Sequence, residues 1–434
     1  MQQKNYQQEI LALIHSGLPQ AELAEKLSDY HENDLADALA ALTPDERQKL
    51  YAVLGVDTVA EIFSYLDDAE PYLKELPSEK AANVVSHMDS DDAVDALDDL
   101  EEEDKAKIVG QLDKDSAEDV KMLLSYGEDE IGSSMTTNYI CIRKDMTIRQ
   151  AIDRIRRIAV DKETINTCYV TDSARVLEGV VSLRDLIMAK DEERVGDIME
   201  DNPIAVSTDD LDEDVAQLFS KYDMLVLPVV DREHRLVGII TIDDAVDVIQ
   251  EANTEDFEKM AAMAPSENTY LKTPAFTHAR KRVVWLLILM VSSAITGNII
   301  NRYEDAFAAI PLLVSFIPML MDTGGNCGSQ SATLVIRGLA LGEIRIKDFF
   351  RVVFKEFQVS LLVGLLLVPI NILWIWFLYK NFLIAVTVGI SLFVTICVAK
   401  MIGCMLPIAA KKCKLDPAIM ASPLRGCLLH LRFL

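Results

Sequence analysis

The sequence predicts a mostly α-helical chain of four parts: an N-terminal helical superhelix, a tandem α/β module, a connecting helix and a multi-span α-helical membrane bundle. Three observations carry this. Apolar residues recur at helical spacing from residue 5 to about 130, as in Leu35, Leu39 and Leu42, then Leu50, Val53 and Leu54. Short β-branched runs alternate with helical stretches over 135–250, and one pattern occurs there twice. Beyond residue 280 lie four apolar stretches, each long enough for a hydrocarbon core about 30 Å thick.

Charge divides the chain in the same way. The net charge of −27 over 434 residues is a sum of opposites. Residues 1–270 hold 62 Asp and Glu against 25 Lys and Arg, a net of −37, and residues 271–434 hold 7 against 17, a net of +10. So acidic a first part repels phosphate backbones, which argues against nucleic acid and for cations. The first ten residues are polar and no apolar run follows, so no secretory signal is expected. The seven cysteines form no CxxC pair, and neither disulfides nor a zinc site is expected. Six scattered histidines and the absence of GxxxxGK[ST] argue against an enzyme or an ATP-driven pump.

In chain order, residues 1–132 are read as the superhelix. Thr43-Pro44-Asp45-Glu46 and Pro77-Ser78-Glu79 mark helix starts, and DLADALAALTPDERQKL recurs loosely as DAVDALDDLEEEDKAKI, a repeat of stacked hairpins. The run Asp89–Asp104, with Asp91, Asp92, Asp95, Asp98 and Asp99 on nearby turns, reads either as a solvated face or as a divalent-cation site.

Residues 133–250 are read as two copies of one module, 133–195 and 196–250. Met135-Thr136, Thr147 through Ala151, Cys168-Tyr169-Val170 and Leu177 through Leu186 have counterparts in Ile198-Met199, Val215-Ala216, Leu227 through Asp231 and Leu236 through Asp244. The copies close on hydrophobic–Gly–hydrophobic–hydrophobic–Ser/Thr–x–x–Asp, with Glu178 standing ahead of the glycine in the first. This pattern resembles a tandem CBS pair. Such pairs are regulatory modules that dimerise and often bind adenine nucleotides or cations, which makes ATP a candidate ligand here.

Residues 251–275 are read as connector and linker. The acidic amphipathic stretch 247–264 is placed to pass movement to the membrane part, or to serve as a passive spacer, and Pro265 and Pro274 flank a polar segment.

Residues 276–434 are read as the membrane part, with spans at about 283–300, 306–336, 357–378 and 382–410. Arg280-Lys281-Arg282, the basic residues from Arg337 to Lys355, and Lys411-Lys412-Lys414 all fall on one side of such a bundle. By the positive-inside rule that side is the cytoplasm, which places the acidic N-terminal part there too. The second span carries Asp322-Thr323-Gly324-Gly325-Asn326-Cys327-Gly328-Ser329-Gln330-Ser331. Lipid offers no partner for a carboxylate or an amide, so this segment belongs inside a bundle facing a water-filled path. Close helix packing explains Gly324, Gly328 and Ser331 but not Asp322, Asn326 and Gln330. The glycines serve either close helix approach or local unwinding. Lys400, inside the fourth span, either snorkels or meets Asp322.

With PMLMDTGGNCGSQSATLVIRGLALGEI, the tandem pair, Tyr126-Gly127-Glu128-Asp129-Glu130 and Leu415-Asp416-Pro417-Ala418 in view, the chain resembles the MgtE-type magnesium channel/transporter family over nearly its whole length. The resemblance implies a homodimer in the cell membrane with one pore at the membrane dimer interface. It implies Mg2+ as both the transported and the regulatory ion, and connecting "plug" helices that close the pore when cytosolic Mg2+ is bound. Matching positions make Asp322, Gly324, Gly325, Asn326, Gly328 and Gln330 the pore candidates. Asp91, Asp95, Asp223, Asp244, Asp247, Glu255 and Asp256 are the sensor candidates. The resemblance stops after Leu424. A fifth span bearing a pore aspartate is expected there, yet the last ten residues are short and basic, with His430 near the expected aspartate. Two readings follow: a Mg2+-gated Mg2+ channel, or a membrane-tethered Mg2+ or nucleotide sensor unable to conduct.

Overall fold

Ten short helices lead the chain: α1 (Gln7–Ile14), α2 (Gln20–Leu27), α3 (Glu32–Leu39), α4 (Pro44–Leu54), α5 (Val56–Ser64), α6 (Glu70–Lys74), α7 (Ser78–Val85), α8 (Ser90–Asp98), α9 (Glu102–Val109) and α10 (Lys114–Leu123). This computed structural model describes residues 6–418 except 67, 99, 128, 129, 160, 161, 163, 262, 266–269 and 272. Asp99, Glu128, Asp129, His430 and the whole stretch after Leu424 therefore lie outside the described residues.

The odd-numbered helices stack in series, α1 on α3, α3 on α5, α5 on α7 and α7 on α9. Stacking each unit on its neighbours buries a continuous core that no single hairpin could supply. Leu35, Leu39, Leu50, Phe63, Leu73, Leu97 and Leu123 fill it, whereas Val53 and Leu54 are only half-buried against it. Thr43 caps α4 as the sequence suggests: its N–H and Oγ1 both donate to the Glu46 carboxylate, at 2.9 and 2.7 Å, while Pro44 fills a position that needs no N–H donor. A charged group is buried here as well. Arg47 donates to the Leu39 carbonyl at 3.0 Å and the Leu42 carbonyl, and pairs with Glu75.

The tandem module follows: β1 (Ile140–Ile142), α11 (Ile148–Ile158), β2 (Thr167–Thr171), β3 (Leu177–Ser182), α12 (Leu183–Met188), α13 (Val195–Ile198), β4 (Glu200–Asp201), β5 (Val206–Ser207), α14 (Asp212–Tyr222), β6 (Val226–Val230), β7 (Leu236–Thr241) and α15 (Ile242–Met260). The sheets run β1-β2-β3-β4 and β5-β6-β7. In each, a parallel pair is followed by an antiparallel hairpin, which is the expected repeat.

The closing motif now has a physical basis. Ser182 and Thr241 are helix N-caps, bonded to Asp185 and Asp244 three residues on. The motif glycines admit the neighbouring copy. A Cβ on Gly179 would lie 2.6 Å from the Glu200 carbonyl, and one on Gly238 would lie 2.6 Å from Met135 Sδ. The opening segments are therefore exchanged. Thr136 pairs with Ile239 of the second sheet in both directions, at 2.8 and 2.9 Å, and β4 pairs with β3 of the first. Met135-Thr136, assigned to the first module from sequence, adds instead to the sheet of the second.

The chain divides into two compact units after Ile249, within α15. The expected boundary between module and connector at 250/251 falls inside one uninterrupted helix, started by the Thr241 cap, that runs from the second module into the connector.

In the second unit, α16 (Ala275–Arg302), α17 (Glu304–Ala309), α18 (Ile317–Ala340), α19 (Phe349–Tyr379) and α20 (Phe382–Lys412) follow α15. Among the described residues, three helices are long and apolar enough to cross a membrane: Ala275–Arg302, Ile346–Tyr379 and Phe382–Lys412, with mean hydropathies of 2.1, 2.4 and 2.6. The expected single span over 306–336 is broken into α17, a 3-10 segment at Pro311–Phe316 and α18. Proline supplies no N–H to the helical ladder, and Pro311 and Pro318 each open a new segment. Polar residues keep α18 out of the three most apolar helices. It is instead sheltered by α20, which packs along both α18 and α19.

Candidate functional site

Two sets of residues carry the candidate chemistry, one in each unit. In α18 the glycine-rich stretch is continuous helix, so close packing rather than unwinding is its local structure. Helical periodicity sorts its residues onto two sides. Gly324, Cys327, Gly328, Ser331, Ala332 and Val335 are buried, and Asp322, Gly325, Asn326, Ser329, Gln330 and Thr333 are exposed. The expected pore set is thereby split. Asp322, Gly325, Asn326 and Gln330 share the open side, and a Cβ on Gly325 would meet nothing within 4 Å. Gly324 and Gly328 are buried away from it, and Gly328 is a point of close helix approach: a Cβ on Gly403 of α20 would come within 3.0 Å of the Gly328 Cα. The open side thus presents one carboxylate and two amide side chains in a row, the oxygen chemistry that a hydrated divalent cation needs.

Lys400 meets neither lipid headgroup nor Asp322. It is 4 % exposed, with Nζ 3.3 Å from Ser331 Oγ and 3.8 Å from Glu356 Oε2. Ser331 Oγ in turn donates to Glu356 Oε2 at 2.6 Å. Sequence reasoning missed Glu356, which stands one residue ahead of the expected third span. The signal was available, since a lysine within a span requires a counter-charge.

In the first unit, the start of α8 and the start of α15 share an electrostatic neighbourhood. Asp91 Oδ1 is shut off from solvent and has no hydrogen-bond partner. Burial, then the charges of Asp92, Asp244 and Asp89, push the Asp91 carboxyl well above the usual range. Burial likewise raises Asp92 to about 7 against a hydrogen bond from Ser64, and raises Asp244 against the bonds from Thr241. Around the cluster, Asn138 donates to Asp89, the Thr137 N–H donates to Ser90 Oγ at 2.8 Å, and Thr137 Oγ1 donates to Asp119 at 2.8 Å.

The seven sensor candidates fall into distinct settings. Asp91 and Asp244 lie in one cluster, and Asp247 adds to the field on Asp244. Asp95 is exposed on α8, and its charge adds to those that raise Asp92. Asp223 ends α14 in the left-handed conformation, with φ 52°, a helix C-cap position. Glu255 and Asp256 belong to the second unit, where Glu255 pairs with Lys259 at 2.7 Å and Lys259 with Asp416 at 2.5 Å. Asp89 and Asp92 join the cluster without having been counted among the sensors. Among the described residues no three acidic, histidine or cysteine side chains converge into a ready-made metal shell. Mg2+ keeps several waters and binds through one or two carboxylates, so a closed shell is not required of these residues.

Comparison with known proteins agrees in each part. Residues 317–427 match the family described as MgtE, divalent cation transporter; residues 30–129 match the MgtE intracellular N domain; residues 129–192 and 195–251 match the CBS domain. The magnesium transporter MgtE of Thermus thermophilus is 40 % identical over 70 % of this chain and 68 % of its own length. That of Bacillus subtilis is 34 % identical over 90 % of this chain and 87 % of its own. A crystal structure of the soluble part of a magnesium transporter aligns at TM-score 0.55 and 34 % identity, over 57 % of this chain and 99 % of that one. The cytosolic domain of the Mg2+ channel MgtE in complex with ATP aligns at 0.52 and 37 %, over 56 % and 99 %. The chain belongs to the MgtE family of magnesium transporters.

Proposed function

We propose that this chain carries Mg2+ into the cell through a path walled by the open side of α18, and that its acidic cytoplasmic part regulates the flow. The observation that carries the reading is the sorting of α18: Asp322, Asn326 and Gln330 stand on one side while α20 fills the other. A single copy walls such a path on one side only, so a homodimer, with the open sides of two α18 helices facing each other, supplies the second wall. An inside-negative potential favours entry by about 4.6 kcal/mol per divalent ion per 100 mV, so no catalytic step or ATP hydrolysis is required.

Regulation rests on the cluster at Asp89, Asp91, Asp92 and Asp244. The partnerless Oδ1 of Asp91 and the raised Asp91, Asp92 and Asp244 carboxyls mark a place where negative charges are held together at a cost. These residues fit a divalent cation. Bound Mg2+ would supply the positive charge that lets them stay ionised side by side. Without that charge the carboxylates of α8 and α15 repel, which favours a looser arrangement of the helices that carry them. Feedback by the transported ion follows. The tandem CBS pair is the place where an adenine nucleotide such as ATP would bind.

The test is Mg2+ uptake by liposomes holding the full chain at clamped voltage. Uptake should rise with inside-negative potential and fall as Mg2+ on the cytoplasmic side rises. Mg2+ binding without uptake would replace the channel with a membrane-tethered sensor.

A further inference from the structure

We infer that Glu356 and Lys400 are positioning residues for transport: with Ser331 they set the rotation of α18 that turns Asp322, Asn326 and Gln330 toward the path. The inference rests on the path reading of α18 given above. Three helices contribute one group each, Ser331 from α18, Glu356 from α19 and Lys400 from α20, and the distances close a triangle of 2.6, 3.3 and 3.8 Å. Ser331 is fully buried and Lys400 nearly so. The side chain of Glu356 is 12 % exposed. A charge in such a place is costly alone and tolerable when paired and hydrogen-bonded.

The position of the triangle gives it a role beyond holding the bundle together. Ser331 directly follows Gln330 of the open side, and Gly328, the contact point with Gly403, lies less than one turn earlier. The glycine contact fixes how near α18 and α20 lie, but two surfaces without side chains leave rotation and sliding cheap. Directed bonds, from Ser331 to Glu356 and from Lys400 to Ser331, remove that freedom. A helix residue turns about 100° per position, so a slip of one residue would carry Asn326 and Gln330 into the buried places of Cys327 and Ser331 or, in the other sense, bring Ser331 out into the place of Gln330.

The experiment uses the full chain and the double variant Glu356→Gln with Lys400→Met, which removes both charges and leaves neither unpaired, together with the exchange Glu356→Lys with Lys400→Glu. Mg2+ uptake per molecule and the uptake ratio of Mg2+ to Ca2+ are measured in liposomes. Thr333→Cys and Val335→Cys are labelled with a water-soluble thiol reagent in each background and read site by site by mass spectrometry. The expected result for the double variant is wild-type amounts of protein, a Mg2+ to Ca2+ ratio at least five-fold lower, and labelling that spreads from position 333 to position 335. The exchange should recover part of the ratio. A double variant with the wild-type ratio and labelling at 333 alone would overturn the inference. If the unaltered chain moves no Mg2+, the path reading fails, and the labelling pattern still decides whether the pair sets the rotation of α18.

Discussion

Gly328 and Gly403 touch backbone to backbone where α18 crosses α20, and a side chain on Gly403 would have to displace the peptide that follows Gly328. Gly403→Ala should therefore force the two helices apart at a cost of about 1–3 kcal/mol and lower uptake per molecule. Gly325→Ala, on the open side, should hold or slightly raise thermal stability in detergent, because alanine favours a helix interior over glycine by about 0.5–1 kcal/mol, while altering uptake. Parallel melts and flux measurements check both.

The raised carboxyls of the first unit give a pH dependence with a definite sign. Asp92 titrates near 7 in the folded protein against 3.8 for an ordinary aspartate. The folded state then holds a proton that the unfolded state has already lost, so stability falls as pH rises from about 4 to about 7 and stays low above that. In a soluble fragment, residues 1–264, without divalent ions, Tm should drop over this window. Asp92→Asn should flatten the drop. Mg2+ should raise Tm most at pH 7 and above, where the carboxylates are ionised, and calorimetry with and without the ion is the measurement.

Lys259 ties the end of α15 to Asp416, beyond α20, and Met260 packs beside Ala332 and Ile336 of α18. The connector is thus fastened next to α18 by a partly buried ion pair. Lys259→Ala should cost that attachment about 1 kcal/mol and raise the cytoplasmic Mg2+ needed for half-maximal inhibition about five-fold. Exchanging the charges, Lys259→Asp with Asp416→Lys, should recover part of it in the same flux assay.

Arg47 is held by two carbonyls and by Glu75 within the superhelix. Removing it takes that donor from the Leu42 carbonyl and the Glu75 carboxylate, while the Leu39 carbonyl keeps the Leu42 N–H. Arg47→Met should destabilise the 1–264 fragment by about 3 kcal/mol, read from urea unfolding, without changing its Mg2+ affinity at the Asp91 cluster.

Much of this arrangement was legible in the residues. Helical periodicity and caps such as Thr43 are local, and local rules reached them. The split of the polar stretch in α18 was legible too, since packing accounted for Gly328 and Ser331 but not for Asn326. Pairings across distance were not. Nothing near Lys400 in sequence names Glu356, and the rule that a buried lysine needs an acid states the need without the partner. The exchange of Met135 and Met199 between modules depends on which sheet edge each opening segment reaches, which a repeat read along the chain assigns to its own copy. The acidic run offered more carboxylates than the cluster uses. Only the fold, by setting α8 beside α15, distinguishes Asp91 and Asp92 from exposed Asp95.

The exchanged opening segments make each module complete the sheet of the other. Cutting the chain at 195/196 would leave β3 without β4, and would leave Gly238 facing an empty slot where Met135 sits. The tandem is therefore a single domain in thermodynamic terms. It should melt in one transition, resist dissection into halves, and pass a perturbation at either copy to the other through the backbone itself.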